Sequence, residues 1–551
     1  MPDGDGENPS GSLLDAHHEE HKEHHEESGY ETSSALSVLR RRPVPRQWWL
    51  EDGTSSLSLH PHEERAATPN DLVLDLAFVV LLSKLGSVFR DNLTCAVHTN
   101  LNDVGFGWLA ARDFMALFAP VWFSWVHITG YLNRFDAEDT VHFALFVVNV
   151  LTAVAIALPL KSCGTALDER YGCDIFIWGI VAARTINMLC HVYASLSNPR
   201  YRRYIRVTII YHGFVSIALW STTGLVSEFG PALDASPFLF KLFWWSAWVV
   251  DFLQFFMFTP WFVKKLPKFH PAERIPMNLN LLVERHSLFI ILSLGEVVVA
   301  SIYPIANPQG GGSHGHVNSE DSQRIFASVC TVLLLGGLKA LYFDLADPVT
   351  PTGVCSANGR HALKASPLRG IAWTLMHLPL NMAIVIIGGI LESYISHGLI
   401  INRSMWFFVL SLCSIVFITS IIQVLNQGTK RKRVRKEVRQ LVRGGITLLM
   451  LLAPLFGWNV PEEVPPGHCI INSTEHGRLL SDDEESTHFV GLLLLEVFLL
   501  YTIVAADAYM RKDVRTPDCS DHPKVHNQAF QKTLTPSTSV ELPNPSNKDT
   551  A

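Results

Sequence analysis

The residues in this chain best suited to chemistry are acids and bases set inside apolar stretches. Residues 281–303 read LLVERHSLFIILSLGEVVVASIY, opening with Glu284-Arg285 and carrying Gly295-Glu296 well inside. An acid at that depth in hydrocarbon costs roughly 2.5–3.5 kcal/mol on insertion scales, so it is kept where it meets a partner, a water-filled cavity or a substrate. Arg285 and Glu296 are close to three helical turns apart and share a face. Asp75 and Lys84 fall on opposite sides of another helix, about 13 Å apart along its axis, so each calls for a partner from elsewhere. Arg184 is similarly placed, and Asp251 in FWWSAWVVDFLQFF is flanked along one face by Trp244, Trp248 and Phe255. Lys339 and Glu496 lie in further apolar segments, and His377 stands two residues before Pro379, a kink position backed by Gly388 and Gly389. Such a set can bind a proton, an ion or a polar solute. It can equally be a set of interhelical ion pairs that fixes a bundle.

The elements that position these groups follow from composition. Charged residues make up 17% of the 551, below the roughly 25% of soluble domains. The average conceals two materials. Residues 1–68 and 509–551 are polar tails with a disordered composition, and 69–508 is a succession of apolar stretches long enough to span a ~30 Å hydrocarbon core. About twelve spans are expected, at 72–89, 109–132, 140–160, 173–196, 205–226, 238–263, 284–303, 324–345, 370–391, 405–426, 442–460 and 488–507. The runs are too continuous for barrel strands, and lipid leaves unpaired backbone groups no partner outside helices and closed barrels. The fold class is therefore an all-α polytopic transmembrane helix bundle. The tail before the first span has no signal-peptide pattern, so that span is expected to act as its own insertion signal.

Loop charge sets the orientation. One class of loops holds Arg134, Arg200–Arg206, Lys264–Arg274, Arg360–Arg369 and the run KRKRVRKEVRQLVR at 430–443, while the alternate class is sparse in cations. The basic class, with both termini, is assigned to the cytoplasm. Three sequons, at Asn92, Asn402 and Asn472, all fall in loops assigned to the other side. So do Cys163 and Cys173, which share a short loop and are either a disulfide or two free thiols. Within the basic run, Val434, Val438, Leu441 and Val442 recur at helical spacing. That pattern fits a helix held on the cytoplasmic face by anionic lipid, or a plain topology signal.

Several classes are disfavoured. No P-loop, Cys-x-x-Cys pair or Gly-x-Ser-x-Gly elbow is present, no soluble catalytic domain is left over, and no catalytic residue is assigned, so the chain is expected not to be an enzyme. No cofactor and no nucleic-acid partner are expected. The N-terminal HHEEHKEHHEE tract, with His17, His18, His21, His24 and His25, is a weak metal candidate whose composition fits a flexible tail.

Several ordered blocks carry a resemblance. DLVLDLAFVVLLSKL holds Asp75 and Phe78; WVHITGYLNRFDAEDT holds Trp125, Asn133, Arg134, Phe135, Asp136 and Asp139; LVERHSLFIILSLGEVV holds Glu284, Arg285, Leu288, Phe289, Leu294, Gly295 and Glu296; LYFD at 341–344 and HLPL at 377–380 follow. Together they resemble the low temperature requirement A family of multi-pass membrane proteins over roughly residues 70–425. Where family members often carry an Arg after the Asn-Arg-Phe-Asp block, this chain reads TVHFALF, with His142 the nearest base. The resemblance implies a membrane protein linked by name to growth in the cold and brings no substrate.

The leading expectation is a secondary transporter or permease for an ion or small polar solute. Asp75, Asp251 and Glu296 would line the pathway, with Glu296 the proton- or cation-binding carboxylate. Twelve spans would suit a six-plus-six repeat. A non-transporting scaffold, sensor or lipid-handling protein is the alternative, and a channel a third. The bilayer is the expected partner, in the plasma membrane or an endomembrane.

Overall fold

The computed structural model describes residues 43–45, 47–51, 57–61, 68–95, 104–136, 139–160, 173–229, 237–256, 275–306, 319–344, 366–397, 402–426, 433–455 and 483–512. The fold is all-α. Helices α1 (Pro69–Cys95), α2 (Val104–Arg134), α3 (Thr140–Ala157) and α4 (Asp174–Ser197) come first, followed by α5 (Arg202–Thr208) and α6 (Val215–Phe229). Then come α7 (Pro237–Leu253), α8 (Leu279–Ala306), α9 (Ser319–Lys339), α10 (Pro367–His397), α11 (Asn402–Asn426), α12 (Arg433–Leu452) and α13 (Asp483–Lys512). Nine helices among the described residues are long and apolar enough to cross a membrane.

The described parts of the other three predicted segments are helical but are shorter or less apolar, for visible reasons. The segment at 205–226 is divided between α5 and α6 by a π-helical turn, Ile209–Phe214. That at 238–263 forms α7 and tightens into a 3₁₀ turn at Gln254–Phe256. In α12 the first half is the basic run, which leaves only Gln440–Leu452 as a short apolar helix.

Two compact units divide the chain: Met1–Val88 with Arg112–Leu292, and Phe89–Ala111 with Ser293–Ala551. In the first unit α3 packs on α4, α4 on α6, and α6 on α7. Gly179 lets α3 approach α4, because a Cβ there would overlap the Ile156 side chain. Tyr131, Phe135, Cys190, Ala194, Tyr201, Tyr204, Ile205 and Ile275 form a buried apolar cluster. Burial pushes the Tyr201 phenol above its ordinary value, against the opposing pull of Arg200, whose guanidinium lies 5.8 Å from the ring centroid.

Part of the sequence assigned to a disordered tail at 1–68 is structured. Strand β1 (Val44–Pro45) pairs with β4 (Phe135–Asp136), and β2 (Gln47–Glu51) forms an antiparallel ladder with β3 (Leu57–Pro61). Asn198, at the C-terminus of α4, donates to the Pro43 carbonyl at 2.9 Å. These pairings depend on residues more than 80 positions away in the case of β1, which local composition does not register. Among the described residues these ladders are the only strands.

In the second unit α10 packs on α11, α9 on α13, and α12 on both α11 and α13. Gly337 permits the α9–α13 approach, since a Cβ there would lie 2.6 Å from Leu500 Cδ2. Tyr394 and Phe408 both pack on Phe489, with centroids at 4.5 and 5.7 Å.

Candidate functional site

The first unit assembles its charged residues from helix caps outward. Thr68 and Asp71 form a capping box at the start of α1. The Thr68 backbone N–H and hydroxyl donate to Asp71 Oδ2 at 2.9 and 3.0 Å, and the Asp71 N–H donates back to Thr68 Oγ1 at 3.3 Å. Asn278 caps α8, its Oδ1 accepting from the N–H groups of Asn280 and Leu281 at 3.2 Å. Asn133 holds that cap by donating to the Asn278 carbonyl at 2.6 Å. Two turns into α8, Arg285 meets both acids of α1, Asp71 at 2.9 Å and Asp75 at 2.8 Å. Trp125 Nε1 donates to Asp75 Oδ1 at 2.7 Å, while Asp75 Oδ2 has no hydrogen-bond partner among the described residues.

Asp139 is the N-cap of α3. Its carboxylate accepts the His142 N–H at 3.0 Å and takes the His142 ring at Nδ1, 2.5 Å away. On the far side His142 Nε2 faces the Tyr131 hydroxyl. The result is a buried Asp–His–Tyr chain in which Nδ1–H donates to the carboxylate and Nε2 accepts from the phenol. This chain and Asp71 line a cavity of about 410 Å³ together with Asn70, Asn149 and Cys190. The cavity's size is within the range of small-molecule sites, and its few convergent polar groups sit among Leu74, Phe143 and Phe146.

A second cluster surrounds Asp251. Arg184 donates to its Oδ2 at 2.8 Å, Ser216 to Oδ1 at 2.6 Å, and Trp220 to Oδ2 at 3.1 Å. Arg184 also approaches His127 Nδ1 at 2.5 Å. Both partners are fully buried and the carboxylate is saturated, which leaves it no capacity for a guest. The aromatic stripe read from the sequence packs as expected: Trp244 against Trp220, Trp248 against Phe123, and Phe255 against Trp122.

The second unit holds the rest. His377 donates from Nδ1 to the Trp373 carbonyl at 2.7 Å, so its Nε2 accepts from the Tyr342 hydroxyl at 2.8 Å. Asn381 links α10 to Ser293 of α8 at 2.9 Å. Arg443, read from sequence only as the end of a basic run, is buried in an ion pair with Asp507 and donates to Ser420 Oγ at 3.1 Å. Glu496 is fully buried, and neither of its carboxylate oxygens has a hydrogen-bond partner among the described residues. An unpaired ionised carboxylate so placed would cost several kcal/mol.

The structure redistributes the predicted site residues. Asp75 with Arg285, and Arg184 with Asp251, come together as pairs. Lys84 is exposed on α1 and makes no ion pair among the described residues, so the interhelical partner expected for it is not found there. Its long aliphatic stem lets the ammonium reach outward, which a carboxylate on a short stem cannot do. Lys339 is exposed, and Glu296 is half-buried with Gly295 beside it in open space. Glu296 is engaged by a neighbour, as is Lys339. In the family-motif residues, Arg134 donates to the Gly130 carbonyl at 2.9 Å, Phe135 stacks on Tyr131, Asp136 lies in β4, and Glu284 is half-buried.

Asn92 lies in α1, half-buried, and Asn402 begins α11. Cys173 is disulfide-bonded. Its expected partner Cys163, the sequon at Asn472 and the His17–His25 tract all lie outside the described residues. Among the described residues no group of three or more His, Cys, Asp or Glu could hold a metal ion. Sequence reasoning passed over Asp71, Tyr131, Arg443 and Asp507. The Thr-x-x-Asp spacing and the Asp139-x-x-His142 spacing were the available signals for two of these contacts.

These anchoring contacts fall on the residues of the resemblance. The family model of the bacterial low temperature requirement A protein (LtrA) matches residues 66–464. The chain belongs to the LtrA family. Its match spans α1 to α12 and stops short of α13, so Glu496 and Asp507 lie beyond the matched region. An uncharacterized protein of Rhizobium meliloti (strain 1021), RA0937, is 26% identical over 253 residues, 45% of this chain and 54% of the relative. The chain thus spans about half the length of that curated relative. Membership in the LtrA family and the apolar helices make this a multi-pass integral membrane protein.

Proposed function

We propose that this protein is a secondary transporter or permease for an ion or small polar solute. The observation that carries the reading is the cavity of about 410 Å³ in the first unit, lined by the Tyr131–His142–Asp139 chain and by Asp71. A cavity of this size with several convergent polar groups among apolar walls is the usual setting of a small-solute site. Its lining comes from the start of α1, the end of α2, the start of α3 and the second half of α4, ends that loop charge assigns to the cytoplasm. Arg285, tethered to Asp71, would connect occupancy of the cavity to Asp75 deeper in α1. Glu296, in the second unit, is kept as a candidate proton- or cation-binding carboxylate. No catalytic or nucleic-acid-binding role is part of this reading, and the protein would act in the plasma membrane or an endomembrane.

The test is solute uptake into proteoliposomes across a panel of ions, amino acids and metals, with wild type, His142→Gln and Glu296→Gln. Uptake in wild type that falls at least tenfold in His142→Gln, with folding retained, supports the reading. Uptake by none of the panel, or equal uptake by His142→Gln, removes it.

A scaffold reading has its own observation in Asp251, whose saturation is that of a structural ion pair. If Arg184→Asp with Asp251→Arg restores both folding and cellular function lost in the single variants, that cluster is structural.

A further inference from the structure

Glu496 is used by none of the contacts described so far. It lies in Phe489–Asp507, the most apolar stretch of α13, and is completely buried with both carboxylate oxygens unpartnered among the described residues. Among the described residues, the buried titratable groups on α9 to α13 besides Glu496 are Cys330 on α9, His377 and Tyr394 on α10, Cys413 on α11, Arg443 on α12 and Asp507 on α13 itself. Arg324 and Lys339 on α9, Glu392 on α10 and Tyr501 on α13 are less enclosed. The Cys413 thiol is turned to the Thr447 carbonyl at 3.6 Å. Arg443, the nearest buried cation on α12, is committed to Asp507 and Ser420.

Further polar groups recur on the neighbouring helices. Cys413 and Ser420 lie two turns apart on α11, and Thr447 and Arg443 one turn apart on α12. Glu496 and Asp507 lie three turns apart on α13. Gln423, one turn beyond Ser420, is also buried with neither amide atom partnered among the described residues. A separate, mainly apolar cavity of about 500 Å³ lies between α11 and α12, lined by Phe417, Val424 and Leu448 with Ser420, Arg443 and Thr447, and Glu496 is not part of its lining. Buried polar groups are normally satisfied, so a carboxyl with both oxygens bare calls for a guest such as a proton.

We propose that Glu496 is a proton-binding carboxyl, taking up and releasing a proton within the apolar stretch of α13. A proton that reaches Glu496 forms an O–H bond at one Oε, leaving the group neutral in its apolar surroundings. The same bond breaks when the proton leaves, so no other reactant is required. The proposal gives the transport reading its coupling ion, and its test does not depend on solute movement.

The test is labelling of the purified full-length protein in liposomes with dicyclohexylcarbodiimide, which converts protonated carboxyls in apolar surroundings to N-acylureas. The adducts are located by peptide mass spectrometry. Glu496 should be labelled and Glu496→Gln should lose that adduct, while Asp251, equally buried but paired with Arg184, stays unlabelled. In a parallel measurement, Glu496→Gln should lower acid-driven proton entry, followed with an enclosed pH dye, at least tenfold. An unlabelled Glu496 in folded wild type overturns the proposal. So does protection of Glu496 by sodium or potassium at constant pH, which would make the guest a metal cation. If Glu496 labels and carries protons while no solute on the panel moves, the proton site stands and the transport reading falls.

Discussion

Asp251 and Glu496 are both completely buried acids in apolar helices, yet their surroundings are opposite. Asp251, in the first unit, receives an arginine, a serine and a tryptophan. Glu496, in the second, receives nothing among the described residues. The depth of an acid in an apolar segment therefore does not decide its role. The donors that other helices bring to it do. A saturated carboxylate resists any guest because displacing one requires breaking several charge-assisted bonds at once. An unsatisfied one gains from the first cation that reaches it.

That contrast can be broken by mutation. The largest effect is expected from Arg184→Ala, which strands Asp251 and should cost about 3–5 kcal/mol, read as loss of unfolding free energy in detergent. Replacing both partners together, as Arg184→Met with Asp251→Leu, should recover most of the loss. Asp75→Asn is expected to cost about 1.5–3 kcal/mol in the same measurement, because it weakens charge-assisted bonds to Arg285 and Trp125 while Asp71 still holds Arg285. Tyr131→Phe should cost about 1 kcal/mol, the net worth of one buried hydrogen bond, and should leave the Asp139–His142 contact in place. Glu496→Leu is expected to change stability least, within about 0.5 kcal/mol or slightly upward, because no partner is stranded. A loss there as large as that of Arg184→Ala would show that Glu496 is structural and erase the contrast.

Much of the arrangement was legible in the chain. The apolar lengths announced a helical membrane bundle, and the ordered blocks pointed to the LtrA family that the matched region then established. Asp75, Arg184, Asp251 and Arg285 were recognisable as groups needing partners, because each interrupts an apolar run. Arg443 was not, because a basic run reads as a topology signal whichever of its cations turns inward. Tyr131 looked like one more aromatic until the α3 cap brought His142 to its hydroxyl. Glu296 appeared the leading acid because it sits deep in its segment, but it is half-buried, whereas Glu496 is the more enclosed.

Sequence alone determined which residues would be expensive in a membrane and where the helices holding them would run. Both depend on local quantities: side-chain transfer energies, apolar length and helical period. Only the tertiary structure decided which charges were neutralised. Asp75 and Arg285 are separated by 210 positions, and Arg184 and Asp251 by 67. No periodicity within one helix encodes a donor on another. The distinction between an acid that fixes the bundle and one left open to a proton is therefore set by packing between helices.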